Sequence, residues 1–265
     1  MVKAAFFDLD KTVIAKASLA AFWRPLRRGG LLTRRLVARA IVAHLIYLYL
    51  GADEGRMSRI KDGVLAGTKG WNRDEVHQIV RDALFETVEP IIYSEALELI
   101  SEHRSLGHRV YLVSASPEEL VEPLAEVLGA DGAVASRAEL DADGCYTGQM
   151  AFYASGANKV AAIKELAGRH GLDLSESWAY SDSATDLGML QLVGHPVPVN
   201  PDRALARIAR EREWEVREFT KPVRLRNRVS PRVPLATAGL AAAAAVLAWR
   251  WGRRAHLRPA TGVRI

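Results

Sequence analysis

Cysteine is nearly absent from this sequence, because Cys145 is the only one among 265 residues. One cysteine excludes an internal disulfide framework and a thiolate metal cluster, and it fits a reducing compartment. The seven histidines are scattered along the chain, with no pair at the spacing of metal ligands. The first residues lack the charged and apolar regions of a signal peptide, so we expect a protein that is not secreted.

Acidic residues are almost missing from the C-terminal part of the chain. From Val216 onward there are 11 Lys and Arg residues but one acid, Glu218, which leaves 25 bases and 30 acids for the rest. The net charge of +5 therefore arises in the tail. A cationic tail indicates an anionic partner such as lipid headgroups or nucleic acid. Of these we expect a membrane surface and no nucleic acid.

An uncharged, alanine-rich run of seventeen residues, 233–249, lies in this tail with arginines on both flanks. As a helix it would be about 26 Å long, slightly shorter than the hydrocarbon core of a bilayer, which is roughly 30 Å thick. Trp249 and Trp251 would then lie at an interface. We therefore expect a membrane helix that anchors a cytoplasmic catalytic domain; a peripheral alanine helix is the alternative.

Two aspartates follow the first apolar run of the chain. Residues 2–7 are β-branched, aromatic and small, which indicates a buried strand, and Asp8 and Asp10 come where this strand ends. They could be ordinary turn residues, because aspartate is common in turns. They could instead pair with a divalent cation, since an unpaired buried carboxylate is costly. Mg²⁺ prefers oxygen ligands of this kind.

Three further segments favour a catalytic site, because each adds a group that a carboxylate nucleophile attacking phosphorus needs. In the first, a second apolar strand ends at Ser114, where the hydroxyl and the backbone N–H groups around Ala115 can hold phosphate oxygens. The second segment carries Lys159, near the start of a helix predicted over residues 158–169. Its ammonium group can neutralise charge on Asp8 and on the transferring group.

The third segment follows a strand predicted over residues 177–180 and carries two acids four residues apart, Asp182 and Asp186. Asp182 could complete the metal shell, with Asp186 behind it as orienting support. All of these groups come after predicted strands or at helix starts. In a parallel sheet, ligands bind beyond the carboxyl ends of the strands, so we expect the groups to meet there.

Taken together, the four segments resemble the motifs of the haloacid dehalogenase superfamily of phosphatases, in the branch similar to phosphoserine phosphatase. The resemblance covers roughly residues 1–215. It implies that Asp8 is the nucleophile and Asp10 the general acid and base. It also implies a set of Mg²⁺ ligands and their support, namely Asp8, Asp10 and Asp182 with Asp186. The residues that would bind the substrate phosphate are Ser114, Ala115 and Lys159.

Strands and helices alternate from residue 89 onward, which predicts an α/β fold with a doubly wound, parallel, Rossmann-like sheet. We expect residues 1–14 and 89–220 to form this catalytic core. Residues 15–88 carry helical signals only, and the resemblance implies that they are a helical cap inserted into the core. Within it, arginines precede the uncharged residues 40–50, which indicates a solvated basic helix or a face resting on a membrane. Residues 221–265 are the basic tail with its hydrophobic C-terminal helix.

The resemblance implies a Mg²⁺-dependent phosphomonoester hydrolase that forms an aspartyl-phosphate intermediate and acts on a small phosphorylated metabolite. The alternatives are a phosphatase of lipid phosphates at a membrane and an inactive, membrane-tethered binding module. Phosphoserine is disfavoured as the substrate, because phosphoserine-specific members carry an acid nine residues after the nucleophile, where this chain has Ala17. Ser181 replaces the glycine of the commonest fourth motif, and we expect little effect from this small residue.

Overall fold

Six strands form one sheet in the computed structural model, which describes residues 2–31 and 65–220. All described residues belong to one unit, Met1–Arg224. The strand order is β4-β3-β2-β1-β5-β6, and every pair is parallel except β3 with β4. The strands are β1 (Ala4–Asp8), β2 (Arg109–Pro117), β3 (Gly132–Leu140), β4 (Tyr146–Phe152), β5 (Trp178–Ser181) and β6 (His195–Pro198).

Helices connect these strands, as expected for an α/β fold with a mostly parallel sheet. In the described ranges the α-helices are α1 (Ser18–Ala21), α2 (Trp23–Arg28), α3 (Arg73–Val88), α4 (Ser94–Ser105), α5 (Glu118–Leu128), α6 (Gly156–His170), α7 (Leu187–Leu190) and α8 (Arg203–Glu211). Short 3₁₀ turns cover Glu89–Ile91, Leu174–Glu176 and Ala184–Asp186. The predicted α/β class is therefore confirmed.

The central strand β1 separates two hydrophobic cores. Side chains alternate across a strand, so Phe7 joins the core on one face of the sheet and Phe6 the core on the other. Both rings are fully buried. Phe7 stacks on Tyr180 with a centroid distance of 4.3 Å, and Phe6 stacks on Tyr111 at 5.7 Å. A strand buried on both faces is typical of a parallel sheet.

Strands β3 and β4 form a hairpin that is closed by an Asp-Gly turn, Asp143-Gly144. Asp141 N–H donates to the carbonyl of Cys145 at 2.9 Å, and Gly144 has a φ of 75°, a backbone conformation that glycine adopts without strain. Strand β2 is longer than predicted. Pro117 pairs with Ser136 and has an extended backbone, so α5 begins at the next residue, Glu118.

The described part of the insertion is helical and packs against the core. Asn72 caps α3, since its Oδ1 accepts from the backbone N–H groups of Asp74 and Glu75, as the sequence pattern predicts. The buried residues of α3 lie in the same core as Phe7. The segment before α3 also pairs with the hairpin, because Tyr146 N–H donates to the carbonyl of Trp71 at 2.9 Å. The helical signals and uncharged run over residues 32–50 lie outside the described residues.

The predicted anchoring of a cytoplasmic domain in a membrane is wrong. Within residues 2–31 and 65–220, no helix is both long and apolar enough to cross a bilayer. The longest of them, α3, has 16 residues, and its length of about 24 Å falls short of a hydrocarbon core of roughly 30 Å. It also carries charged side chains along its length. The run 233–249 lies outside the described residues.

Candidate active site

The carboxyl ends of three neighbouring strands meet at one edge of the sheet. Strand β1 lies between β2 and β5, with Asp8 paired to Val113 and Phe7 paired to Tyr180. Because the three strands are parallel, the residues at or just after their ends come together. This edge carries predicted residues from three segments of the chain: Asp8, Ser114 and Asp182.

A tight turn follows β1 and redirects the chain after Asp8. The carbonyl of Leu9 accepts the N–H groups of Val13 and Ile14, each at 3.0 Å. Within the turn, Lys11 has a φ of 65°, which is uncommon for a residue with a side chain. The turn leaves the Lys11 ammonium 4.0 Å from Oδ2 of Asp182. The loops after β1 and β5 therefore face each other at the site.

Lys159 is buried between two aspartates. Helix α6 carries it in its first turn, and its Nζ donates to Oδ1 of Asp186 at 2.7 Å, to Oδ1 of Asp8 at 3.2 Å and to the carbonyl of Val113 at 3.4 Å. Burial disfavours the charged ammonium, but the two carboxylates outweigh burial and raise the pKa of Lys159 above its usual range. Lys159 is therefore a fixed positive charge beside Asp8.

Negative charge is concentrated around Asp8. Burial raises the pKa of Asp8 well above its usual range; Lys159 opposes this rise, whereas Asp186, Asp182 and Asp10 add to it. The pKa of Asp182 is raised to about 6, chiefly by burial, with Lys11 opposing the rise. The lysines thus offset only part of the carboxylate charge, and a bound cation would favour the ionised forms.

The donor set fits one divalent cation with few protein ligands. Among the described residues, no group of three or more His, Cys, Asp or Glu side chains is placed to hold a metal ion. Mg²⁺ commonly takes one or two carboxylates and fills its other positions with water and substrate phosphate. Asp8 and Asp182 are carboxylates of this kind. The Asp10 carboxylate instead accepts hydrogen bonds from Ser18 N–H at 2.7 Å and Ser116 Oγ at 3.2 Å.

The predicted phosphate-binding segment lies in the last part of β2, where the pairing with β3 shifts register. Ser114 is buried, and its Oγ accepts the backbone N–H of Ser116 at 3.1 Å. Ala115 is exposed at this edge, while its carbonyl accepts the hydroxyl of Ser136 at 2.8 Å. Ser114 and Lys159 thus flank Asp8 from adjacent elements. The predicted residues of all four motifs lie at this edge of the sheet.

Ser181 contributes more to the site than we expected from its small side chain. Its hydroxyl is fully buried and donates to Oδ2 of Asp186 at 2.8 Å, while Lys159 occupies the other oxygen of Asp186. Ser183 N–H in turn donates to the Ser181 hydroxyl at 3.3 Å. Because glycine at this position has no hydroxyl, this chain gains a hydrogen bond that orients Asp186.

Asp202 fastens the loop that carries Asp182. It caps α8, with Oδ1 accepting from Leu205 N–H at 2.8 Å, and its Oδ2 accepts from Ala184 N–H at 3.0 Å. Its own N–H donates to the carbonyl of Asp182 at 2.7 Å. The sequence pattern identifies Asp202 as a helix cap. It does not show that Asp202 also holds the loop after β5, because the loop and the cap are about twenty residues apart in the chain.

A model of the haloacid dehalogenase-like hydrolase family matches residues 5–191. The chain belongs to this family. All four motif segments of this haloacid dehalogenase-like hydrolase fall within the matched residues, and its relatives include proteins named phosphatase, phosphoserine phosphatase and histidinol-phosphatase. It is a phosphatase.

Two curated relatives cover most of the hydrolase. A Streptomyces azureus protein named for inhibition of morphological differentiation is 49% identical over 259 residues, which are 95% of this chain and 94% of the relative. A phosphoserine phosphatase of Mycobacterium tuberculosis is 34% identical over 252 residues, covering 94% of this chain and 81% of the relative. A solved structure of a Bordetella pertussis protein of unknown function shares the fold, with a TM-score of 0.71 and 24% identity over 82% of this chain and 98% of that one.

Proposed function

We propose that this phosphatase hydrolyses phosphomonoesters of small metabolites with Mg²⁺, through an aspartyl-phosphate formed on Asp8. The observation that carries the proposal is the position of Asp8, which is buried at the carboxyl end of the central strand with the Lys159 ammonium 3.2 Å from its Oδ1. A carboxylate in such a place must be ionised to attack phosphorus, and Lys159 favours the ionised form.

In the first step a carboxylate oxygen of Asp8 forms a bond to phosphorus while the bond from phosphorus to the leaving oxygen breaks. Asp10 gives its proton to the departing alkoxide. Ser114, the Ala115 N–H and Lys159 bind the phosphoryl oxygens, whose charge Lys159 offsets. In the second step Asp10 takes a proton from water, the water oxygen attacks phosphorus, and phosphate leaves Asp8.

A divalent cation held by Asp8 and Asp182 would add positive charge beside the phosphoryl oxygens when it is bound. Asp186 supports this arrangement indirectly, since its two oxygens engage Lys159 and Ser181. Asp10 lies in the turn that follows Asp8, and its carboxylate accepts hydrogen bonds from Ser18 and Ser116. We therefore propose that the main role of the Asp10 side chain is proton transfer and that metal binding is its secondary role.

The proposed domains are a core that carries the catalytic groups and a cap that encloses the substrate. We propose residues 1–14 and 89–220 as the catalytic core and residues 15–88 as the helical cap, of which the structure describes residues 15–31 and 65–88. Two contacts support the cap: Ser18, at its start, donates to Asp10, and α3 packs on the core. Enclosure of the substrate by a cap would exclude water from the first step and strengthen the local electrostatics.

The substrate class is a small phosphorylated metabolite. The phosphoserine phosphatase relative supports this class. Ala17 is an exposed, uncharged residue at the start of the cap, so that position has no carboxylate for a substrate ammonium group. We therefore place phosphoserine among several candidate substrates.

Phosphate release from a panel of amino-acid phosphates, sugar phosphates and an aryl phosphate tests the proposal. With Mg²⁺ present, wild-type protein should release phosphate from at least one of them. The Asp8→Asn variant is nearly isosteric, so it should fold and yet release phosphate only at the background rate. Equal release by the two proteins would overturn the assignment of Asp8.

A further inference from the structure

Two serines outside the predicted site meet at the carboxylate of Asp10. Ser116 Oγ donates to Oδ2 of Asp10 at 3.2 Å, and the backbone N–H of Ser18 donates to Oδ1 at 2.7 Å. The two serine hydroxyls are hydrogen-bonded to each other at 2.7 Å, and either can be the donor. The three residues therefore form a closed ring of hydrogen bonds around one carboxyl group.

The ring joins segments that are far apart in the chain. Ser18 begins α1, at the start of the insertion, and Ser116 lies near the end of β2, 98 positions later. Ser18 and Ser116 are only 2% and 5% exposed, so water competes little for these hydrogen bonds. Ser116 is also fixed through its backbone N–H, which donates to Ser114 Oγ. Asp10 is thereby held between the core and the start of the insertion.

We propose that Ser116 and Ser18 are positioning residues that hold the carboxyl group of Asp10 in the orientation from which it exchanges a proton with the leaving oxygen. This inference rests on the proposed role of Asp10 as general acid and base. Neither serine needs to contact the substrate. Each acts through Asp10, so that loss of its hydroxyl leaves the nucleophile and the phosphate-binding groups in place.

The ring leaves the carboxyl group of Asp10 able to carry the transferred proton. An ionised carboxylate has about four acceptor positions on its two oxygens, and the ring uses one on Oδ1 and one on Oδ2. A remaining position can hold the proton that Asp10 gives up in the first step and takes in the second. Ser116 Oγ can donate to Oδ2 in both steps, so the ring stays closed while the proton faces the leaving oxygen.

The same hydrogen bonds could serve stability alone, since buried polar groups need partners. The two roles differ in their dependence on the substrate. A purely structural loss lowers the fraction of active protein and slows all substrates by one factor. A misplaced Asp10 slows alkyl phosphates, whose alkoxide needs a proton to leave, and largely spares aryl phosphates, whose phenolate leaves without one.

The test compares kcat/KM for an alkyl phosphate and for p-nitrophenyl phosphate in Ser116→Ala, Ser18→Ala and Asp10→Asn. The ratio kcat/KM reports the steps up to alcohol departure, so the later role of Asp10 as a base does not enter. Removal of the acid should slow the alkyl ester by about 10²- to 10⁴-fold. Ser116→Ala should slow it by about 10- to 100-fold, the scale of a small misplacement. The aryl ester should change less than about threefold in the two serine variants, and in Asp10→Asn it should lose less than the alkyl ester loses.

Ser116→Thr and Ser177→Ala are the matched controls. Threonine keeps the hydroxyl and should restore most of the alkyl-ester rate. Ser177 is a fully buried serine at the opposite end of the sheet, where it accepts Ala4 N–H at 2.9 Å. Its substitution should change both substrates by the same factor.

The outcomes separate this inference from the function on which it rests. If Asp10→Asn is selective for the alkyl ester but Ser116→Ala and Ser18→Ala slow both esters equally, the serines are structural and the positioning role is overturned. If Asp10→Asn itself slows both esters equally, Asp10 is not the general acid, and the proposed function on which this inference rests is contradicted. Selective loss in the serine variants, with rescue by threonine, establishes the positioning role.

Discussion

The ammonium group of Lys159 lies 3.2 Å from Oδ1 of Asp8, although 151 positions separate the two residues in the chain. The same ammonium group lies 2.7 Å from Asp186. One lysine thus supports two aspartates from different motifs. Because its side chain is only 4% exposed, water cannot replace it, and both the chemistry and the stability of the site depend on it.

Replacement of Lys159 by methionine should destabilise the protein and abolish phosphate release. The variant leaves Asp8 and Asp186 buried without their counter-charge, and breaking a buried ion pair in this way costs about 3–5 kcal/mol. Urea unfolding at neutral pH measures the free energy of unfolding. Lys3→Met is the control, because the Lys3–Glu176 pair is largely solvated and pairs of this kind contribute little to stability. Equal effects of the two substitutions would contradict the buried-pair argument.

Removal of Mg²⁺ with EDTA should abolish phosphate release, and added Mg²⁺ should restore it. Asp182→Ala should raise the Mg²⁺ concentration for half-maximal activity by at least about tenfold, since even residues that only support a ligand have effects of this size. Calorimetric titration with Mg²⁺ gives the affinity without substrate. Asp143→Ala, in the exposed hairpin turn, should bind Mg²⁺ like the wild type. Unchanged affinity in Asp182→Ala would remove Asp182 from the metal site.

Acid should destabilise the fold through His103, at the other end of the sheet. His103 is buried, its Nε2 is hydrogen-bonded to Tyr180 OH at 2.8 Å, and burial, with help from His108 and Arg217, lowers its pKa to about 4. The unfolded chain binds this proton near pH 6.5 and the folded chain only near pH 4. His103 therefore costs no stability above pH 6.5, and it lowers the free energy of unfolding by up to about 3 kcal/mol as the pH drops to 4.

The difference between wild type and His103→Gln isolates this contribution from the carboxylates that titrate in the same range. Urea unfolding at intervals from pH 7 to pH 4 should show a shallower loss of stability in the variant. His170→Gln, which changes an exposed histidine, should follow the wild-type curve. If the curves of wild type and His103→Gln run parallel, His103 is not the acid-sensitive group.

Ser181→Ala should weaken the support of Asp186. The substitution removes the hydrogen bond to Oδ2 of Asp186 and the partner of Ser183 N–H, and a buried polar group left unpaired costs about 1–3 kcal/mol. Thermal or urea unfolding measures the loss. Ser101→Ala, on an exposed face of α4, should have almost no effect. A stability equal to wild type would show that Asp186 is held by Lys159 alone.

Elements that depend on local chemistry could be predicted from the sequence. The apolar run before Asp8 specifies a buried strand, Asn72 and Glu75 mark the start of α3, and an Asp-Gly pair specifies the hairpin turn. The positions of the four motifs could also be predicted, because each lies directly after a predicted strand or at a helix start. Such features involve residues a few positions apart, which a linear pattern records.

The pairing of side chains across the site, in contrast, depends on the folded arrangement of strands and helices. The bonds from Lys159 to both Asp8 and Asp186, and the ring of Ser18, Ser116 and Asp10, connect residues up to 151 positions apart. Their geometry depends on the strand order and on how the helices pack against the sheet. Hydrogen bonds need their partners within about 3 Å of each other, and for residues so far apart in the chain only the packed sheet and helices set that distance.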